Sequence, residues 1–144
     1  MKILLLPLVA GLIAQVAKFF IKSNHIKFSW RHWRLVFSYS GMPSGHAAMT
    51  VSLTTIIFLT EGLSSSLALA FVLMLLTIRD AIGLRRQIGK QGEIINELVE
   101  DLDEDSLLDE KYPHLAEKIG HSKRQVMVGA IIGLLVSWLG FYLF

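Results

Sequence analysis

At 144 residues the chain is long enough for one domain, and its composition is that of a membrane protein: 53% hydrophobic, 18% charged, mean hydropathy +0.53. It has no cysteine, which excludes disulfides and thiolate chemistry. A net charge of +2 says little about partners by itself, and the distribution of the charges says more.

Residues 3–21, ILLLPLVAGLIAQVAKFFI, are nearly all apolar and match the ~20 residues that a bilayer-spanning helix needs. Lys2 before an apolar core also suits a signal peptide. Gln15, Val16, Ala17 and Lys18 running into Phe19 and Phe20 make a poor cleavage region, however, so a retained span is expected. Pro7 is a candidate kink. Residues 22–40 are polar and basic, with Lys22, Lys27, Arg31 and Arg34, and carry interleaved aromatics such as Trp30, Trp33 and Tyr39. Next to two spans this mixture suits a membrane interface rather than nucleic acid.

Residues 43–60 form the second expected span, and Glu61 to Ser66 a short turn without Lys or Arg. The third span, 67–83, ends in Arg79 and Asp80. Charges at the end of a span are costly unless paired or wet, and so are candidates for function. Snorkelling to the headgroups is the alternative for Arg79. Residues 84–125 form a polar insertion that opens with Arg85, Arg86 and Lys90. Ile94, Ile95, Leu98, Val99 and Leu102 then recur at helical spacing among acidic residues, which predicts an amphipathic helix. The acidic run Asp101 to Glu110 lacks the ligand-and-glycine alternation of a calcium loop and reads as a solvated turn. Pro113 to Gly120 is expected to be a short helix. Residues 126–144 are the fourth span, where Gly129 and Gly133 form a small-xxx-small face that would let this helix pack closely, including against a second copy in a homo-oligomer.

The expected fold is therefore all-α. It is a single membrane domain over 1–144, a bundle of four transmembrane helices with a cytoplasmic amphipathic helical insertion at 84–125. Four spans put both termini on one side and the loops 22–42 and 84–125 on the other. Of the 14 Lys and Arg, only Lys2 lies away from the loop side. The positive-inside rule makes that side cytoplasmic, with both termini outside and the protein in a plasma membrane.

Gly41-Met42-Pro43-Ser44-Gly45-His46 stands where the second span begins. A helix N-terminus presents unpaired N–H groups and favours anions. Pro43 suits a first helical turn, and Gly45 lets an anion approach the backbone. The topology gathers other polar groups on the same face: Lys18, Arg79, Asp80, Arg85, Arg86, Lys90 and His121. Cations and oriented N–H groups are what a transferring phosphoryl group requires. The two imidazoles, His46 and His121, can divide nucleophile and acid–base roles.

The string Pro43-Ser44-Gly45-His46 resembles the central motif of the type 2 phosphatidic acid phosphatase superfamily, which includes vanadium-dependent haloperoxidases. Asp80-Ala81-Ile82-Gly83-Leu84-Arg85-Arg86 with Gly89-Lys90, followed by Gly120-His121, resembles the divergent branch of that superfamily, a family of small membrane proteins. The resemblance implies a phosphohistidine mechanism without a metal or other cofactor. His121 would attack phosphorus, His46 would protonate the leaving oxygen, and Ser44 and Gly45 would hold the phosphoryl oxygens. Arg79, Arg85, Arg86, Lys90 and Lys18 are the candidate phosphate-binding cations.

Three departures from the superfamily pattern stand out. Lys27 and Arg34 have the spacing of its first motif, but Leu35 follows where proline is expected. Glu117-Lys118-Ile119-Gly120 precedes His121 in place of a serine-arginine pair. Gln125 stands where an aspartate would orient the nucleophile, a role left to Asp80 if it reaches His121. The expected function is hydrolysis of a lipid phosphate or pyrophosphate at the cytoplasmic face. The alternatives are non-catalytic binding or transport of phospholipid or prenyl phosphate, and a membrane assembly role.

Overall fold

The computed structural model describes residues 1–23, 41–102, 115 and 119–143, and among them the only regular structure is helical. In chain order the helices are α1 (Lys2–Ser23), α2 (Gly45–Glu61), α3 (Ser65–Ile82), α4 (Leu84–Leu102) and α5 (Lys123–Leu143). The basic–aromatic segment 24–40, with Lys27 and Arg34, lies outside the described residues. So do the acidic run beyond Leu102 and most of the expected 113–120 helix.

Among the described residues, three stretches are long and apolar enough to cross a membrane: Lys2–Ile21, Ser65–Asp101 and Lys123–Leu143. The second takes in α3 and α4, which are separated only by Gly83. The expected second span is α2, whose 17 residues make it about 25 Å long, short of a ~30 Å hydrocarbon core. Pro7 lies inside a continuous α1. The polar insertion turns helical at Leu84, well before the apolar periodicity that begins at Ile94.

Each helix end has a local cause. Ser44 caps α2 by accepting from the Ala47 N–H (3.4 Å), and Ser64 caps α3 by accepting from the Leu67 N–H (3.1 Å). Pro43 therefore precedes the cap and is not in the first turn. Ser122 and Gln125 form a capping box at the start of α5. The Ser122 N–H donates to Gln125 Oε1 (2.8 Å), and the Gln125 N–H donates to Ser122 Oγ (3.3 Å).

Small residues at the contacts let α2 sit against α1, α3 and α5 at once. On α5, Gly129, Gly133, Ser137 and Gly140 are buried. A Cβ on Gly129 would lie 2.3 Å from the Ser44 carbonyl oxygen, and one on Gly133 would lie 2.2 Å from that of Ala48. The small-xxx-small face thus joins α5 to α2 inside one chain. Ser137 Oγ donates to the Ser52 carbonyl (2.8 Å) and lies 2.6 Å from Ser52 Oγ, which cross-links the same two helices. Leu6, Ala10, Ala14 and Lys18 form the buried stripe of α1, while Leu4, Leu8, Leu12 and Val16 point outward. Such an apolar exterior suits immersion in lipid.

The pairings fix the directions of the helices. Residues 11, 15 and 18 of α1 lie beside 49, 45 and 41, so α1 and α2 are antiparallel. Gly129 beside Ser44 and Gly133 beside Ala48 make α5 parallel to α2. Thr54 donates to the Ala70 carbonyl (3.2 Å), and Ala47 packs with Ala81, so α3 is antiparallel to α2. The C-terminal ends of α1 and α3 and the N-terminal ends of α2 and α5 therefore meet at one end of the bundle.

Candidate active site at the converging helix ends

Backbone contacts lock this end together. The Ser44 N–H donates to the Gln125 carbonyl (3.0 Å), which ties the start of α2 to the first turn of α5. The His121 N–H donates to the Ala81 carbonyl (2.9 Å), which ties the lead-in of α5 to the last turn of α3. Gly120, at φ 96°, lies so close to the α3–α4 junction that a Cβ would stand 2.7 Å from the Arg86 nitrogen. The imidazole of His121 is carried in between these contacts.

His121 is 4% exposed, and neither Nδ1 nor Nε2 has a hydrogen-bond partner among the described residues. A buried polar group is normally satisfied, and leaving one bare costs roughly 1–3 kcal/mol. The ring therefore faces a place where a polar group belongs. Burial, followed by the charge of Lys18 and the proximity of His46 and Arg85, lowers its pKa to about 4. It is neutral at pH 7, with a nitrogen lone pair available for attack.

His46 stands exposed on the first turn of α2, within electrostatic reach of Arg85, Lys18 and Asp80. Lys18 is buried (3% exposed), and its methylenes lie against Gly41. The structure thus gathers Lys18, His46, Asp80, Arg85 and His121 around the α2 N-terminus. Arg79, Arg86 and Lys90 are exposed, and the charges acting on the two imidazoles come from the other residues.

Two expected roles change. The Ser44 N–H is already given to Gln125, and the Ser44 hydroxyl oxygen accepts from the Ala47 N–H while keeping its own hydrogen to donate. The backbone donors left at the α2 N-terminus are the N–H groups of Gly45 and His46, which have no acceptor among the described residues. Asp80 accepts from Arg85 Nε at 2.6 Å and makes no bond to His121. Nor does Gln125 orient His121, because its side chain closes the capping box. Among the described residues no carboxylate is bonded to His121, and its neutrality at pH 7 comes from burial and neighbouring cations.

Sequence reasoning passed over Gln15. It lies one turn before Lys18 on α1, with Nε2 3.3 Å from where a Gly45 Cβ would stand, and its Oε1 is buried and unpartnered. The available signal was a lone polar residue within an apolar span, three positions from a lysine that also turns inward.

A groove of ≈ 1050 Å³ lies between α2, α3 and α5 in the half of the bundle towards the α2–α3 turn, lined by Val51, Thr54, Phe58, Ser64, Phe71 and Leu134 among others. It begins at Val51, five residues beyond His46, which is about 7.5 Å along the helix axis.

The family model described as Divergent PAP2 family matches residues 1–136. The chain is 36% identical to the membrane protein YuiD of Bacillus subtilis, described as uncharacterized, over 98% of this chain and 94% of that protein. No solved structure matches the chain.

Proposed function

Because this chain belongs to the Divergent PAP2 family, we propose that it is an integral membrane phosphatase that hydrolyses a lipid phosphate or pyrophosphate through a phosphohistidine. The observation that carries this reading is His121, buried with both ring nitrogens unpartnered beside an open helix N-terminus and two cations. In the first step a ring nitrogen of neutral His121 attacks phosphorus, and the bond from phosphorus to the leaving oxygen breaks. That oxygen takes a proton from His46 in its imidazolium form, which becomes neutral. In the second step water attacks the phosphohistidine, His46 accepts the water proton, and phosphate leaves as the imidazole is regenerated. The Gly45 and His46 N–H groups, with Lys18 and Arg85, stabilise the charge on the equatorial oxygens. Among the described residues no carboxylate supports the imidazolium-like phosphohistidine, so a slow rate is expected.

In this reading all four long apolar helices span the bilayer, including the short α2 at the centre of the bundle. The antiparallel arrangement and the concentration of Lys and Arg at the site's end support both termini outside and a cytoplasmic site. The groove between α2, α3 and α5 would take the acyl or prenyl chain of the substrate. In a bacterium the membrane is the plasma membrane.

A second reading, non-catalytic binding or transport of a phosphorylated lipid, is favoured by one observation: Asp80 and Gln125 are both engaged elsewhere. Phosphate release from lipid phosphates by the purified protein, compared with His121→Ala and His46→Ala, separates the two. Hydrolysis is expected to require both histidines. Release that survives both substitutions would rule out the mechanism, whereas binding without release, lost in Arg85→Ala, would establish the second reading.

A further inference from the structure

Gln15 has no part in the mechanism above, yet it stands at the same site. The α1 residues Gly11, Gln15 and Lys18 form one stripe along α2 and lie beside Met49, Gly45 and Gly41. Gln15 is therefore level with the first turn of α2, where the Gly45 and His46 N–H groups are free. Among the described residues, the buried side-chain polar atoms without a partner are Gln15 Oε1 and the two nitrogens of His121. All three belong to residues at this one end of the bundle. A carboxamide held among apolar helices normally satisfies both its donor and its acceptor. The acceptor here is left for something that arrives.

We propose that Gln15 binds the phosphoryl group at the α2 N-terminus, with its buried carbonyl oxygen accepting the hydrogen of a P–OH. The inference rests on the phosphate-site reading and adds a residue and a selectivity to it. A phosphate monoester or hydrogen phosphate carries acceptor oxygens for the Gly45 and His46 N–H groups and, in its protonated form, one donor for Gln15. Sulfate has the same shape and charge but no hydrogen to donate. Bound in the same place, sulfate leaves Gln15 Oε1 bare and sets two acceptors against each other. Gln15 thus selects a terminal, protonatable phosphate over a tetrahedral anion that is fully deprotonated. Lys18, one turn further along α1, supplies charge to either anion and does not discriminate.

The test uses the full-length protein in detergent micelles, with inorganic phosphate and sulfate as probes and dissociation constants from calorimetry at pH 7. Wild type is expected to bind phosphate about tenfold more tightly than sulfate. Gln15→Leu and the longer, unbranched Gln15→Met are expected to lose about tenfold in phosphate affinity, to bind sulfate as before, and so to lose the preference. Helical content and thermal midpoint identify variants that remain folded, and Gln15→Met carries the argument if Gln15→Leu does not fold. Wild-type affinity for both anions in a folded variant, or equal weakening of both, would overturn the role of Gln15 and leave the phosphate site standing. No phosphate binding by folded wild type would overturn the phosphate-site reading and this inference with it.

Discussion

The contact between α2 and α5 gives the sharpest structural prediction. A Cβ on Gly133 would lie 2.2 Å from the Ala48 carbonyl oxygen and 3.0 Å from both the Ala48 carbonyl carbon and the Ser52 nitrogen. Ordinary C···O contacts lie near ~3.4 Å. The offending atom is a helix carbonyl that cannot rotate away, so Gly133→Ala must part the two helices by about 1 Å. That movement stretches the Ser137-to-Ser52 hydrogen bonds beyond bonding distance, from 2.8 Å and 2.6 Å. Overpacking costs about 1–3 kcal/mol and each interhelical bond about 0.6 kcal/mol, so the substitution should cost about 2–4 kcal/mol. Thermal unfolding in detergent, followed by far-ultraviolet circular dichroism, measures it. Gly62→Ala is the control, because a Cβ there meets nothing within 4 Å and only the φ of 66° opposes it, at about 1 kcal/mol. If Gly133→Ala unfolds no earlier than Gly62→Ala, the close packing of α5 on α2 is wrong.

Other consequences follow from the same end of the bundle. His121 holds a pKa of about 4 when folded against 6.5 when unfolded, so between those values the unfolded chain binds more protons. Stability is then full above pH 6.5 and falls by on the order of 3 kcal/mol as the pH drops towards 4. Unfolding scans in phosphate-free buffer should show this slope, and His121→Asn should flatten it. Gln125→Ala opens the capping box and should cost about 1 kcal/mol, whereas Gln125→Glu, which can still accept from the Ser122 N–H, should retain most of the stability. Gly120→Ala would press a methyl group on the Arg86 backbone and move the His121 ring, so phosphate release should fall by more than tenfold while helical content is kept.

The long helices were legible because apolar runs bounded by Ser, Gly and charge admit few other structures. The ends differ from the expected ones by one or two residues: Ser44 caps α2 where the span was expected to start at Pro43, Ser64 caps α3 before the expected start at residue 67, and Gly83 caps the end of α3 where it was expected inside the span. Pairing was less legible. Gly129 and Gly133 announce that some backbone comes close, but not that it belongs to Ser44 and Ala48 of the same chain. The convergence of His46, His121, Lys18 and Arg85 followed from topology alone, because the direction of each span sets which end its charges occupy. The second partners of those residues did not follow. Asp80 turned to Arg85 five residues on, and Gln125 to its own helix cap, because local hydrogen bonds form at less entropic cost than distant ones. Gln15 was hidden because two polar residues, Gln15 and Lys18, among the nineteen positions 3–21 do not alter the reading of a span.

The phosphoenzyme tests the account's central claim most directly. The purified protein is incubated with a lipid phosphate labelled in its phosphoryl group, quenched in alkali, and the chain is examined for label. The account predicts label that is stable in alkali and lost in acid, as a phosphoramidate is, located at His121 and absent from His121→Ala. Hydrolysis without a labelled chain, or label that persists in His121→Ala, would contradict it.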